Sequence, residues 1–172
     1  MRYVSTRGVA PVLDFEGALL AGLATDGGLY LPATLPTLSA REWRALRGAP
    51  YAEVAAAVIA PFAEGCFSRE QLDAICRESY AQFDHAAVAP LVQISADMFV
   101  LELHHGPTLA FKDYAMQVLG RMFDTALKRR GQRATIVGAT SGDTGPAAMA
   151  ACGGRSNIDV FILFPDGRTS PV

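Results

Sequence analysis

Over residues 1–90 the apolar positions fall mostly at the three- and four-residue intervals of amphipathic helices, whereas after Pro90 they gather into short runs around one long helical stretch. Asp14 can cap a short helix that ends near Gly22, and Asp26-Gly27-Gly28 reads as a turn. Ser39 and Glu42 have capping-box spacing and open a helix that stops at Gly48. Tyr51 to Glu64 is alanine-rich and reads as helical, with Pro61 kinking or ending it. Ser68 and Gln71 repeat the capping spacing before a helix whose Leu72, Ile75, Cys76, Ser79 and Tyr80 share one face. Trp43 and Phe62 are expected to pack these helices together.

Beyond Pro90, Val92–Ile94 and Met98–Leu103 read as short strands. A long amphipathic helix is expected from about Lys112 to Arg130, with Ala115, Val118, Leu119, Met122, Phe123 and Ala126 at helical spacing. Ala134–Val137 reads as a short buried strand, followed by a glycine-rich turn and a helix from about Thr144 to Cys152. Ile158 to Phe164 is a continuous apolar run that suits a parallel strand buried on both faces. Strand, helix, strand, helix, strand is the grammar of an α/β parallel sheet. The reading is therefore a helical region over 1–90 and the first part of an α/β domain over 91–172. Ser170-Pro171 announces a further helix two residues before the sequence stops, so the chain is expected to be the front part of a longer protein.

Composition narrows the function more than the fold. Apolar residues make up 51% and charged residues 19%, which favours a packed globular chain with some surface covered by something else. The formal charge of −2 comes without a basic stripe, so nucleic-acid binding has no support. Cys66, Cys76 and Cys152 show no CxxC spacing, which points to a reducing compartment, and Cys152 among small residues is expected to be buried and inert. Neither the polar start nor the broken apolar run at 15–24 fits a signal peptide or a membrane span. A cytoplasmic protein is the expectation.

Two constellations carry chemistry. Lys112, in His104-His-Gly-Pro-Thr-Leu-Ala-Phe-Lys-Asp113, sits at a helix start, where the positive end of the dipole disfavours the ammonium form; Ala110 and Phe111 could add desolvation. A neutral amine is what Schiff-base formation with an aldehyde requires, although a lone lysine is more often a solvated surface group. Gly138-Ala-Thr-Ser-Gly-Asp-Thr-Gly145 lies between a strand and a helix, where glycines admit a ligand and free N–H groups favour an anion. It is neither a Walker loop nor GxGxxG; a plain tight turn with Asp143 as N-cap is the alternative. Adjacent His104 and His105 lack a nearby carboxylate or cysteine in the sequence to complete a metal site, so no metal is expected, and His85 reads as a surface residue. Ser5, Thr6 and Arg7 could reach a phosphate group, or could simply tie down the start of the chain.

Together, Pro107-Thr-Leu-Ala-Phe-Lys-Asp113 and Thr140-Ser-Gly-Asp-Thr-Gly145 resemble the fold-type II pyridoxal-phosphate enzymes. The full wording HGPTLAFKD with GATSGDTG is similar to the threonine synthase family, as are Tyr3-Val-Ser-Thr-Arg-Gly8 and the stretch from Gly22 to Pro32. The resemblance implies a helical N-terminal region leading into a parallel-sheet cofactor domain of the tryptophan synthase β type. It implies that Lys112 binds pyridoxal 5'-phosphate and shuttles protons, and that Ser141, Gly142, Asp143, Thr144 and Gly145 lie beside the cofactor ring and the substrate carboxylate. Thr108 is implied at the mouth of the site, where it could help hold a phosphate. The implied reaction converts O-phosphohomoserine and water into threonine and phosphate. Members of the family are longer, and their loop for the cofactor phosphate lies further along, so the remainder of the chain is the expected partner and this segment alone is expected to be inactive. A hydroxyamino-acid dehydratase and a non-catalytic relative are the rival readings.

Overall fold

The structure, a computed structural model, describes residues 1–168, so the cap expected at Ser170-Pro171 lies outside the described residues. It comprises two compact units, Met1–Arg77 and Glu78–Val172.

In the first unit, β1 (Tyr3–Ser5) pairs antiparallel with β2 (Tyr30–Pro32). A region read as helical thus contains a small sheet, because strands of three residues are too short to show an alternation. Tyr3 and Ser5 point inward; the Tyr3 hydroxyl donates to the Phe62 carbonyl at 2.9 Å, and its ring meets Phe15 edge-on. Helix α1 (Phe15–Ala21) begins where Asp14 accepts the Gly17 N–H at 2.7 Å. Helix α2 (Ala40–Ala45) carries the full capping box of Ser39 and Glu42. It buries no residue, and Trp43 is 51% exposed, contrary to the packing role expected of it. Helix α3 (Tyr51–Ile59) ends ahead of Pro61 rather than at Glu64, since proline has no N–H to continue the ladder. Helix α4 (Arg69–Tyr80) opens on Ser68 and Gln71, each accepting the other's backbone N–H. Its Leu72, Ile75 and Cys76 are buried in this unit, as are Ala56, Ala63 and Phe67.

The second unit opens with the last residues of α4, where Ser79 donates to the Gln117 carbonyl and Tyr80 to that of Tyr114. Strands β3 (Leu91–Gln93) and β4 (Phe99–Leu101) form an antiparallel pair, and then α5 (Asp113–Arg130) crosses the unit. Helix α5 stops at Gly131 in the left-handed region (φ 62), with Lys128, Arg129 and Arg130 in its last turn, where cations favour the negative end of the dipole. Val118, Met122 and Ala126 are buried as expected; Leu119 is 47% exposed and Ala115 is exposed. Strand β5 (Ala134–Ala139), α6 (Thr144–Cys152) and β6 (Ile158–Leu163) make a βαβ unit, with β5 and β6 parallel and Ile136 opposite Val160. Helices α5 and α6 approach closely at Gly120, where a Cβ would stand 2.5 Å from the Ala151 carbonyl oxygen. Cys152 is buried, and burial raises its thiol above the ordinary range.

Neither the burial expected of β5, none of whose residues is buried, nor burial on both faces of β6 is observed. Ile158 is buried, but Phe161 and Leu163 are largely exposed together with Val137 on β5. Among the described residues β6 pairs with β5 alone, and the helices cover one face, which leaves the alternate positions open. No helix among the described residues is long and apolar enough to cross a membrane.

Candidate active site

The two constellations singled out in the second unit lie at the ends of β5 and β6 and at the start of α5. Residues 106–113 form two successive turns: the Leu109 N–H donates to the Gly106 carbonyl at 3.1 Å and the Asp113 N–H to the Ala110 carbonyl at 3.0 Å. Asp113 is fully buried; its Oδ2 accepts the Thr108 N–H at 2.8 Å and its Oδ1 the Thr108 hydroxyl at 2.7 Å. Lys112 takes the N-cap position of α5 in helical conformation, so its stem leaves at the end of a braced turn.

The Lys112 ammonium reaches across to the glycine-rich loop. Its Nζ donates to Asp143 Oδ1 at 2.9 Å and Oδ2 at 3.0 Å, and lies 4.4 Å from the centre of the Phe111 ring. The hydrogen bond from Lys112 holds the Asp143 carboxyl below its ordinary range, with the lysine charge adding to it. Phe111 is 60% exposed and so supplies a ring face rather than the desolvation expected of it. Asp143 stands at the N-cap of α6 but its side chain makes no capping bond; the carboxylate serves Lys112 instead, against the plain-turn alternative. Ser141, Gly142, Asp143 and Thr144 are exposed, while Gly145 is buried so tightly that a Cβ would meet Thr140 Cγ2 at 2.7 Å and Ile162 Cγ2 at 2.9 Å.

Between this loop and the lysine turn lies a cleft of about 790 Å³, lined by Thr108, Leu109, Ser141, Asp143, Met149 and Phe164 among others. Its size falls within the ~300–1,000 Å³ of small-ligand sites. It joins apolar walls, the Asp143 carboxylate that holds the Lys112 amine, and the N-terminus of α6, where the N–H groups of a helix start suit an anion. An aldehyde-bearing planar cofactor fits that donor set: the amine can take the aldehyde, and Leu109, Met149 and Phe164 offer apolar surface.

Ser5, Thr6 and Arg7 fall in the first unit, gathered around Asp26. The Ser5 hydroxyl donates to Asp26 Oδ1 at 2.7 Å and accepts the Arg7 N–H; Thr6 Oγ1 accepts the Leu29 N–H; Arg7 Nη1 donates to the Asp26 carbonyl at 3.1 Å. Asp26 also accepts the N–H groups of Val9, Ala10 and Gly28, and these bonds, Ser5 foremost, depress its carboxyl strongly. The tied-down chain start is thus present; the Arg7 side chain remains exposed.

Sequence reasoning missed two arrangements. The first is Asp113, whose signal was an aspartate directly after the lysine and five residues after a threonine. The second corrects the view that no carboxylate stands near the histidines. His105 Nδ1 lies 2.7 Å from Asp84 Oδ1 and its Nε2 2.8 Å from Glu102 Oε2, with the His85 and His104 rings tilted against it at centroid distances of 4.9 and 4.5 Å. Glu102, His104 and His105 each bring a donor atom within 4.8 Å of the others, and no ion is present.

The architecture is that of the N-terminal part of a fold-type II enzyme. A family described as "Threonine synthase N terminus" matches residues 2–80. Threonine synthase of Pseudomonas aeruginosa is 52% identical over 172 residues, covering 100% of this chain and 37% of the relative. Among solved structures, PLP-bound threonine synthase from Brucella melitensis superposes with a TM-score of 0.96 at 63% identity, over 99% of this chain and 37% of that one. The yeast threonine synthase gives 0.92 at 38% identity, over 99% and 36%. The chain therefore corresponds along its length to the N-terminal portion of the threonine synthases, and spans little more than a third of the relatives it matches.

Proposed function

We propose that this chain is the front part of a pyridoxal-phosphate-dependent threonine synthase, a carbon–oxygen lyase that converts O-phosphohomoserine and water into threonine and phosphate in the cytoplasm. The observation that carries the reading is the Lys112 amine held at 2.9 Å from Asp143, which lines the cleft. The bound cofactor would act as an electron sink for carbanions at the amino-bearing carbon and at the carbon next to it. Lys112 would hold the cofactor aldehyde, and once released by the substrate amine it would take and return protons at those carbons. Asp143 would hold the amine in place until the cofactor binds. Gly142 and Gly145 would let Ser141 to Gly145 approach the cofactor ring, and the loop N–H groups would receive the substrate carboxylate. Arg7, with its exposed guanidinium, is the stronger candidate for the phosphate group among the three residues of the N-terminal segment. A site built on a third of the relatives' length leaves the cofactor phosphate to other residues, and we propose that the segment by itself has no turnover.

The test is an absorbance spectrum of the complete protein with pyridoxal phosphate, beside Lys112→Ala. A visible band in the unaltered protein that vanishes in the variant, with phosphate released from O-phosphohomoserine, is the expected result. Release of ammonia from unphosphorylated serine or threonine instead would establish the dehydratase, and a protein without the band would not be this enzyme.

A further inference from the structure

The turn that presents Lys112 is braced far beyond what a surface loop needs. A fully buried carboxylate is costly unless its oxygens are met by donors. For Asp113 both of those described come from one residue, the Thr108 N–H at 2.8 Å and the Thr108 hydroxyl at 2.7 Å. Gly106 lies against the same side chain, where an added Cβ would stand 2.5 Å from Asp113 Cβ and Oδ2. Leu109 holds φ at 61°, in the left-handed region that a bulky L residue rarely adopts. Backbone strain of this kind persists where the surroundings over-determine it, and it collects where geometry serves chemistry. All three constraints fall within residues 106–113, and Lys112 is the residue next to the hub.

Thr108 faces the cleft, which is why a phosphate-holding role suggests itself. Its donor inventory points elsewhere. A threonine offers one hydroxyl proton and one backbone N–H, and both are directed at Asp113. Toward a phosphate oxygen the residue would then present only lone pairs.

We propose that Asp113 and Thr108 form a positioning pair that fixes the turn from which Lys112 projects, and that Thr108 acts on the lysine through Asp113 rather than by binding a phosphate group. The inference rests on Lys112 being the cofactor-holding residue. Neither member of the pair touches the reacting atoms; their effect is on where the amine stands when it meets the aldehyde. Thr108→Val keeps the shape and the N–H but removes the hydroxyl donor. Thr108→Ser keeps the donor. Asp113→Asn replaces one acceptor with an amide that faces a donor.

The experiment uses the complete protein and follows three readouts: the urea midpoint, the rate at which the visible band grows on mixing with pyridoxal phosphate, and kcat and KM for O-phosphohomoserine. Thr108→Val and Asp113→Asn are expected to slow band formation and lower kcat by about 10- to 100-fold, as for a reacting group displaced by a fraction of its reach, with KM near its starting value. The double variant should be no slower than the worse single one, because the two act as a unit. Thr108→Ser should behave like the unaltered protein. If Asp113→Asn does not fold, Thr108→Val carries the test. A raised KM in Thr108→Val with an unchanged rate of band formation would restore the phosphate role and overturn the inference. So would a lower urea midpoint with neither rate nor kcat changed. An unaltered protein that shows no band would remove the Lys112 reading itself, a failure distinct from a band that the variants leave untouched.

Discussion

Asp26 and Asp113 each gather a loop by accepting hydrogen bonds, yet they leave their surroundings in opposite conditions. Asp26 draws in the Ser5 hydroxyl and the N–H groups of Val9, Ala10 and Gly28 at the surface of the first unit. Asp113, fully buried in the second, takes both donors of Thr108, while the adjacent lysine stays free of that hub and extends to Asp143. Hydrogen-bond capacity used inside a loop is unavailable to a ligand. The Asp26 knot therefore accounts for Ser5 largely by itself, whereas the Asp113 turn is organised around a group it does not bind. A polar motif in a sequence becomes a site only where its own fold leaves some donors over.

Glycine placement gives the largest expected effect on this comparison. Each hub has a glycine pressed against it, Gly28 against the Ser5 and Thr6 hydroxyls and Gly106 against the Asp113 side chain. Hydroxyl groups on short side chains can rotate away at the cost of a hydrogen bond, about 1 kcal/mol. The Asp113 Cβ is fixed to the start of α5 and cannot yield without moving the helix. Gly106→Ala should therefore destabilise the protein by about 3 kcal/mol, at the upper end for overpacking, and Gly28→Ala by about 1 kcal/mol. Urea denaturation of the complete protein measures both, and equal losses would mean that the two hubs are equally pliable.

Function separates the two regions at smaller magnitude. Ser5→Ala removes a buried hydroxyl and should cost about 1 kcal/mol of stability with KM unchanged. Arg7→Ala should leave the urea midpoint in place and, if its exposed guanidinium holds the substrate phosphate, raise KM about tenfold, the worth of a hydrogen bond to a charged group. Should the two results exchange, the Asp26 knot would belong to the substrate site and the contrast drawn above would fail.

Much of this was legible in the chain. Capping boxes at Ser39 and Ser68 and the face of α4 are local patterns, readable because each partner lies within four residues. Lys112 and the loop 141–145 were readable as motifs. The pairing of β1 with β2 spans 25 residues or more and strands of three residues carry no period, so it was not. Nor was the environment of His105, where Asp84 lies 21 residues away, or the service of Asp143 to Lys112 rather than to its own helix. Exposure of Phe161 and Leu163 was also out of reach, since an apolar run shows that a strand can be buried, not that the described residues bury it.

The least of the expected effects tests whether a third cluster in the second unit resembles either hub. Glu102 and then Asp84 raise the His105 imidazole above its ordinary range, and hydrogen bonding to His105, with the charges of His104, His105 and His85, lowers Glu102. A raised histidine binds its proton more tightly in the folded state. Its stabilisation is complete below about pH 6.5 and is lost as the pH rises through the folded value. The lowered glutamate contributes above its ordinary value of about 4.3 and loses that contribution as the pH falls through its folded value. Both act together between about pH 4.5 and 6.5. Since both carboxylates are reachable by water, the effect should be small and should shrink with added salt. Taking the stability of the complete protein minus that of His105→Gln at each pH isolates the cluster: the difference should be greatest in this window and decline toward pH 8. A flat difference would mean that His105 is held as Asp113 is, by packing and geometry, and not by its charge.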